Sequence, residues 1–204
     1  KIKTLLLGNM QTNGYVVSDE NHHCLIIDPG ANGKKVVHYL TENELVPEAV
    51  LLTHGHFDHI GAVDYLYEHY HCPIYLHQDD LEMLDNPQLN LSVYENPFTV
   101  KAPVQSSHEE MKFGDFDVQW LHLPGHCPGS SMIYLKDENI IFSGDVLFKG
   151  SIGRFDFPNS SKYETIESIN KIKEYDFDAV IYPGHGPNST LSEERLNNPY
   201  LKKS

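Results

Sequence analysis

The chain has 204 residues, 40% of them apolar and 22% charged, and 15 Lys plus Arg against 29 Asp plus Glu give a formal net charge of −14. These proportions exclude a disordered segment, a collagen-like chain and a coiled coil, and a chain of ~200 residues removes about 70% of its unfolded surface from water, enough for a sizeable core. No basic stripe is present to displace counterions, so nucleic acid and anionic membrane surfaces are excluded as partners.

Aliphatic stretches such as Ala49 to Leu52 are far too short for a bilayer span of ~20 residues. Leu5-Leu6-Leu7 is likewise too short for a signal-peptide core. Cys24, Cys72 and Cys127 are too few and too scattered for a disulfide framework or a CxxC metal site. The expectation is a single domain over residues 1–204 in the reducing cytoplasm. The anomaly is histidine, with 13 copies, several beside Asp and Gly.

In chain order, Ile2 to Leu7, Tyr15 to Ser18 and Cys24 to Ile27 read as short strands separated by turn residues. Val36, Val37, Leu40 and Leu45 fall near helical spacing, with Asn32 as the expected N-cap. Ala49 to Thr53 is fully apolar up to its threonine, as in a strand buried on both faces. A helix is expected from the loop at His54 to Asp58 through about His69, then a strand at Pro73 to Leu76 and a short helix at Asp79 to Leu84. Residues 85–107 carry Asn-Pro twice and Ala-Pro once without periodicity, as lids and binding loops do. Strands follow at Met111 to Phe113, Asp117 to Leu123, Ser131 to Leu135 and Asn139 to Phe142. Ser160 to Tyr175 reads as an amphipathic helix with Ile166, Ile169 and Ile172 inward. Ala179 to Tyr182 is the last strand and Ser192 to Asn198 a closing helical turn. Two similar runs of strands and helix predict two sheets face to face with helices outside.

The strongest chemical signal is Thr53-His54-Gly55-His56-Phe57-Asp58-His59-Ile60-Gly61, directly after the buried strand. On a glycine-containing loop entering a helix, His54 and His56 face one way while Asp58 and His59 face another. That suits two adjacent metals, and imidazole with carboxylate is the donor mix that zinc and its neighbours favour. Three further strand ends carry a ligand beside glycine: Pro124-Gly125-His126, Ser143-Gly144-Asp145 and Pro183-Gly184-His185. Each is weak alone, and together they converge on one edge of a sandwich. His22, His23, His38, His69, His71, His77 and His108 read as surface or turn residues, and His122 as packed or ligand-orienting. Cys127 reads as a small buried residue. Tyr15, Tyr94, Phe98 and Phe148 are candidates to line a pocket or the core.

From about Gly14 to Pro187 the sequence resembles the metallo-β-lactamase superfamily of metal-dependent hydrolases, through HxHxDH at His54 to His59 followed by His126, Asp145 and His185. The resemblance implies a four-layer αββα sandwich with a dinuclear site at one edge. It implies His54, His56 and His126 on the first metal, Asp58, His59 and His185 on the second, and Asp145 bridging. Asp28, in Ile27-Asp28-Pro29-Gly30, corresponds to a position that supports the ligands from behind. The patterns at Pro124 to Ser130, Gly144 to Phe148 and Gly153 to Phe157 are similar to glyoxalase II and its short bacterial relatives. In that group a basic residue at the place of Arg154 contacts glutathione; pairing with Asp156 is the competing reading. The expectation is therefore the short form, without the helical C-terminal extension of full-length glyoxalase II.

The resemblance implies two divalent metal ions per chain, zinc first and iron or manganese next. Two cations sharing a water lower its pKa from 15.7 toward ~7, so that hydroxide forms at neutral pH. Asp58 then holds the second metal and orients the attacking group, and the substrate is a small-molecule thioester. The expected state is a monomer or homodimer. The alternative is a persulfide dioxygenase with one iron on His54, His126 and Asp145. Asp145 argues against a β-lactamase, net charge against a tRNA nuclease, and the complete ligand set against a metal sensor without turnover.

Overall fold

Strand alternation builds the layers of this molecule. A computed structural model describes residues 1–202. Its first sheet joins β1 (Ile2–Leu7), β2 (Thr12–Ser18), β3 (His23–Ile27), β4 (Val46–Leu51), β5 (Ile74–Leu76) and β6 (Gln105–Ser106) in that order. The first three strands are antiparallel and β3 to β6 run parallel. The second half holds β7 (Glu110–Phe113), β8 (Phe116–His122), β9 (Ser131–Leu135), β10 (Ile140–Gly144), a small hairpin of β11 (Leu147–Phe148) and β12 (Ser151–Ile152), then β13 (Val180–Pro183) and β14 (Ser189–Thr190). Its sheet order is β14-β13-β10-β9-β8-β7, with β10 and β13 parallel.

Successive side chains of a strand point to opposite faces. Leu25, Ile27, Ala49 and Leu51 therefore meet Trp120, Ile133, Leu135 and Phe142 between the sheets. Their neighbours Cys24, Ile26 and Val50 pack outward on α1 (Gly33–Glu42) and α3 (Val63–Tyr70) through Val36, Leu40, Val63 and Leu66. On the far side Met132, Tyr134 and Ile141 pack on Ile172 of α4 (Lys162–Lys173) and Leu191 of α5 (Leu191–Asn197). The result is the four-layer αββα sandwich. Among the described residues, no helix is long and apolar enough to cross a membrane.

Several local expectations are corrected. The helix expected through His69 is divided into a single turn, α2 (Phe57–Ile60), and α3. At the division, a Cβ on Gly61 would collide with the Gly30 carbonyl, and the Ala62 amide donates to Pro29 O (2.9 Å), which turns the chain. Ile166 is 49% exposed; the buried face of α4 is Thr165, Ser168 and Ile172, and Ile166 lies one residue round the helix from it. The short helix at Asp79 to Leu84 is a 3-10 turn, Gln78–Asp85. Strands β11, β12 and β14 have two residues each, too short to show periodicity. Within residues 85–107, buried Asn90 donates to the Met83 and Phe98 carbonyls and its own carbonyl accepts from Phe57 N (2.8 Å). The expected caps form: Asn32 accepts from Lys35 N and starts α1.

What positions the site is direction. Parallel β3 and β4, and parallel β10 and β13, deliver Asp28, His54, Asp145 and His185 just past their carboxyl ends, on one edge of the sandwich. The bonds that tie the sheets there include Asn13 N to Gly184 O (2.8 Å), Asn13 Nδ2 to Pro183 O (3.1 Å), Tyr15 OH to Pro183 O (2.6 Å) and Ser131 N to Thr53 O (3.0 Å).

Candidate metal centre

The structure gathers all seven expected ligands. The donor atoms of His54, His56 and His126 lie within 4.8 Å of one another, and so do those of Asp58, His59, Asp145 and His185. The two groups meet at Asp145. Its Oδ2 is 3.6 Å from His54 Nε2, 3.4 Å from His126 Nε2 and 3.6 Å from His185 Nε2, while its Oδ1 is 3.2 Å from His59 Nε2. Asp58 Oδ2 stands 3.4 Å from His59 Nε2 and 3.1 Å from His185 Nε2. Donor atoms ~2.0–2.2 Å from a tetrahedral ion sit about 3.4 Å from one another, so these separations fit cations within the groups.

The outer nitrogens of the rings explain why the inner ones are bare. His54 Nδ1 donates to Thr53 Oγ1 (3.0 Å), His59 Nδ1 to Asp28 Oδ2 (2.8 Å) and His126 Nδ1 to the Arg154 carbonyl (2.7 Å). Each bond holds its ring with Nε2 turned toward the other donors, and His126 Nε2 is also 3.1 Å from His56 Nδ1. His54 Nε2, His59 Nε2 and Asp145 Oδ1 are buried without a hydrogen-bond partner among the described residues. Leaving such a group unsatisfied costs about 1–3 kcal/mol, and divalent cations are what this donor set can satisfy. Asp28 does more than hold His59. It accepts from Thr53 N (2.8 Å) and Thr53 Oγ1 (2.6 Å) from a left-handed backbone, φ 49°, so one buried carboxylate sets two ligand-bearing turns.

The electrostatics divide the two groups. Burial holds the His54 imidazole below its ordinary range and brings His56 down to about 3, with the neighbouring imidazoles adding to the effect. Burial also opposes charge on His59, but Asp145, Asp58 and Asp28 outweigh it and raise that ring well above its ordinary value. His185 is raised to about 9; burial lowers it, and its bonds to Asp145 and Asp58 prevail. Burial pushes the Asp58 and Asp145 carboxyls up, yet the facing imidazoles win and both stay below the ordinary carboxylate range.

Other residues resolve as follows. The Arg154 guanidinium is exposed and pairs with Asp156 through Nε (3.0 Å) and Nη2 (3.0 Å), lying 4.6 Å from the Phe157 ring centre. Its carbonyl reaches His126, and the residue also lines the cavity into which the donors open. An Arg154→Ala variant is expected to keep kcat and to change KM no more than about threefold, as for an exposed ion pair; steady-state kinetics check this. Cys127 is buried as expected, with Sγ 3.3 Å from His56 Nε2. His77 is half-buried rather than on the surface. It is stacked on His122 at 3.8 Å, and His122 Nε2 donates to Pro128 O (2.8 Å) in the turn that carries His126. Tyr94 is exposed and Tyr15 is in the core, whereas Phe148 lines the site.

The donors open into a cavity of about 300 Å³ walled by Met10, Phe57, Leu91, Phe148 and Phe157. A second cavity of about 220 Å³ shares Met10, Phe57 and Asp58 with it. Met10, Phe57, Leu91 and Phe157 come from four separate segments, and no local pattern marks them as cavity wall. Nor does any mark Thr12, whose hydroxyl donates to Asp58 Oδ2 (2.9 Å), or Asp80, a buried carboxylate pushed up to about 7 by burial.

A family model described as the metallo-beta-lactamase superfamily matches residues 7–185. The chain is 39% identical to "Probable metallo-hydrolase YqgX" of Bacillus subtilis, over 98% of this chain and 97% of that one. It is 32% identical to "Hydroxyacylglutathione hydrolase GloC" of Haemophilus influenzae, over 98% and 97%. Among solved structures, BLEG-1, a B3 metallo-beta-lactamase, superposes with a TM-score of 0.93 at 37% identity and covers 100% of both chains. TTHA1623 in a di-iron-bound form superposes with a TM-score of 0.88 at 37% identity, over 98% of this chain and 100% of that one. With the sandwich, the two donor groups and these matches in agreement, the chain belongs to the metallo-β-lactamase superfamily of metallo-hydrolases.

Proposed function

We propose that the protein hydrolyses a small-molecule thioester with two divalent cations, zinc by preference. The observation that carries this reading is the position of Asp145 between a three-histidine group and an Asp58, His59, His185 group, at the floor of an apolar-walled cavity. The similarity to a hydroxyacylglutathione hydrolase supports the substrate class. In this reading His54, His56 and His126 hold one cation, Asp58, His59 and His185 the other, and Asp145 both. When bound, the cations supply a water ionised at neutral pH and positive charge against the oxyanion that develops on the carbonyl.

The chain's own residues do the rest. Asp58, held by the Thr12 hydroxyl, directs its carboxylate at His59 and His185 and orients the attacking group. Asp28, Thr53 and the Arg154 carbonyl keep the imidazoles from turning. Met10, Phe57, Leu91, Phe148 and Phe157 receive the acyl portion and exclude bulk water from it. At about 300 Å³ the cavity is at the small end of ligand sites, which favours a short acyl group. No side-chain nucleophile is needed.

The test begins with elemental mass spectrometry on protein purified without added metal or chelator, then a thioester panel read by released thiol. Near two metals per chain with thiol release is the expected result. One iron per chain with oxygen uptake on a glutathione persulfide would replace this reading with the dioxygenase. Turnover of a chromogenic β-lactam without thioester turnover would replace it with a lactamase.

A further inference from the structure

Outside the expected ligands, the most deeply buried carboxylate near the site belongs to Asp80, and its two oxygens serve two different loops. Asp80 has no exposed surface. Its Oδ2 accepts from Gly55 N (3.0 Å), in the turn between His54 and His56, and its Oδ1 accepts from Gly129 N (2.6 Å), in the β8–β9 turn that carries His126. The 3-10 turn bearing Asp80 follows β5, so it belongs to the first sheet, whereas Gly129 belongs to the second. The fit is tight. A Cβ on Gly129 would lie 2.7 Å from Asp80 Cγ, so glycine is what lets the carboxylate reach that amide.

We propose that Asp80 is a positioning residue for the three-histidine group: one carboxylate clamps the His54-Gly55-His56 turn of the first sheet to the His126–Gly129 turn of the second. The other donor group does not depend on this clamp. Asp58 and His59 are held by Thr12 and Asp28, and His185 rides on the turn bonded to Asn13. A carboxylate is suited to the task because it offers two acceptors, while an asparagine would turn an N–H toward one of the two amides. Nothing in Gln78-Asp79-Asp80 signals this, since acids at the start of a helical turn are ordinary. The inference rests on the metal reading above.

The experiment separates the groups and reads metal affinity, not activity. In a His185→Ala chain the three-histidine group remains; in a His126→Ala chain the other group remains. Zinc affinity is measured on each by competition with a chromophoric chelator, with and without Asp80→Asn. Removing an outer partner costs 10–100-fold in affinity, so Asp80→Asn is expected to weaken zinc that much in the His185→Ala chain and no more than about twofold in the His126→Ala chain. Equal weakening in both chains, or no weakening in the His185→Ala chain, overturns the proposal. Absence of zinc binding by the unaltered protein overturns the metal reading and this inference with it. Circular dichroism of the metal-free chains checks folding. Should Asp80→Asn not fold, Gly129→Ala displaces the same carboxylate and is expected to give the same selective loss, and its failure to do so overturns the clamp.

Discussion

An Asp145→Ala variant is expected to lose hydrolytic activity by more than the 10–100-fold that removal of an outer partner costs, and to retain less metal in both donor groups. The reason is position. Asp145 is the one carboxylate within 3.6 Å of His54, His59, His126 and His185. It is also 7% exposed, so no water takes over its charge. Kinetics and elemental analysis read the loss, and a metal-free readout accompanies them. The imidazolium of His185, raised to about 9 with Asp145 contributing, is expected to titrate at lower pH in the variant when followed by NMR. If Asp145→Ala holds two metals and turns over normally, the shared role assigned to this residue is wrong. A variant that loses activity while His185 titrates unchanged would show that Asp145 does not supply the field assigned to it.

Metal binding by the two groups is expected to differ in its proton balance. Ligands must be free of protons before a cation binds, so a group that is protonated in the metal-free protein releases them. His54 and His56 lie below the ordinary imidazole range and are neutral at pH 7. His59 lies well above it and His185 at about 9, so both carry protons at pH 7. Filling the Asp58, His59, His185 group should release about two protons, and its apparent affinity should fall about 100-fold per unit as pH drops through neutrality. His54 and His56 should release none. The sign follows from the direction: rings raised by carboxylates favour the proton that competes with metal, and rings lowered by burial do not. Titration calorimetry in buffers of different ionisation enthalpy counts the protons. Release of about two protons on filling the Asp58, His59, His185 group is the expected pattern, and no release there would overturn the assignment. A corollary is that mild acidification strips one metal before the other.

Much of the donor set was readable from local grammar. HxHxDH packs four ligands into six residues, and the glycine-flanked His126, Asp145 and His185 each follow a strand. The continuous apolar run from Ala49 to Leu52 announced a strand buried on both faces, and the two similar runs of strands and helix announced two sheets with helices outside. Even the division of His54 and His56 from Asp58 and His59 into two donor groups could be argued from a turn running into a helix. Such features belong to short segments, whose backbone geometry depends on the residues themselves.

What depended on residues far apart in sequence became visible only in three dimensions. The bend between α2 and α3 is set by Gly30 and Pro29 reaching across to Gly61 and Ala62, a contact no periodicity encodes. Ile166 looked like a core residue because three isoleucines fell near helical spacing, but the face of α4 that docks is chosen by the sheet beneath it. The cavity wall draws Met10, Phe57, Leu91, Phe148 and Phe157 from distant segments. The pairing of Arg154 with Asp156, and the use of its carbonyl rather than its charge on His126, required coordinates. Asp80 is the clearest case: an ordinary acid in a polar tripeptide that becomes a buried clamp once two sheets bring Gly55 and Gly129 to either side of it. Sequence by itself determined which groups could bind metal, because donor chemistry is a property of side chains. Tertiary structure decided how those groups are charged, held and walled in, because burial and hydrogen-bond partners are properties of the packed whole.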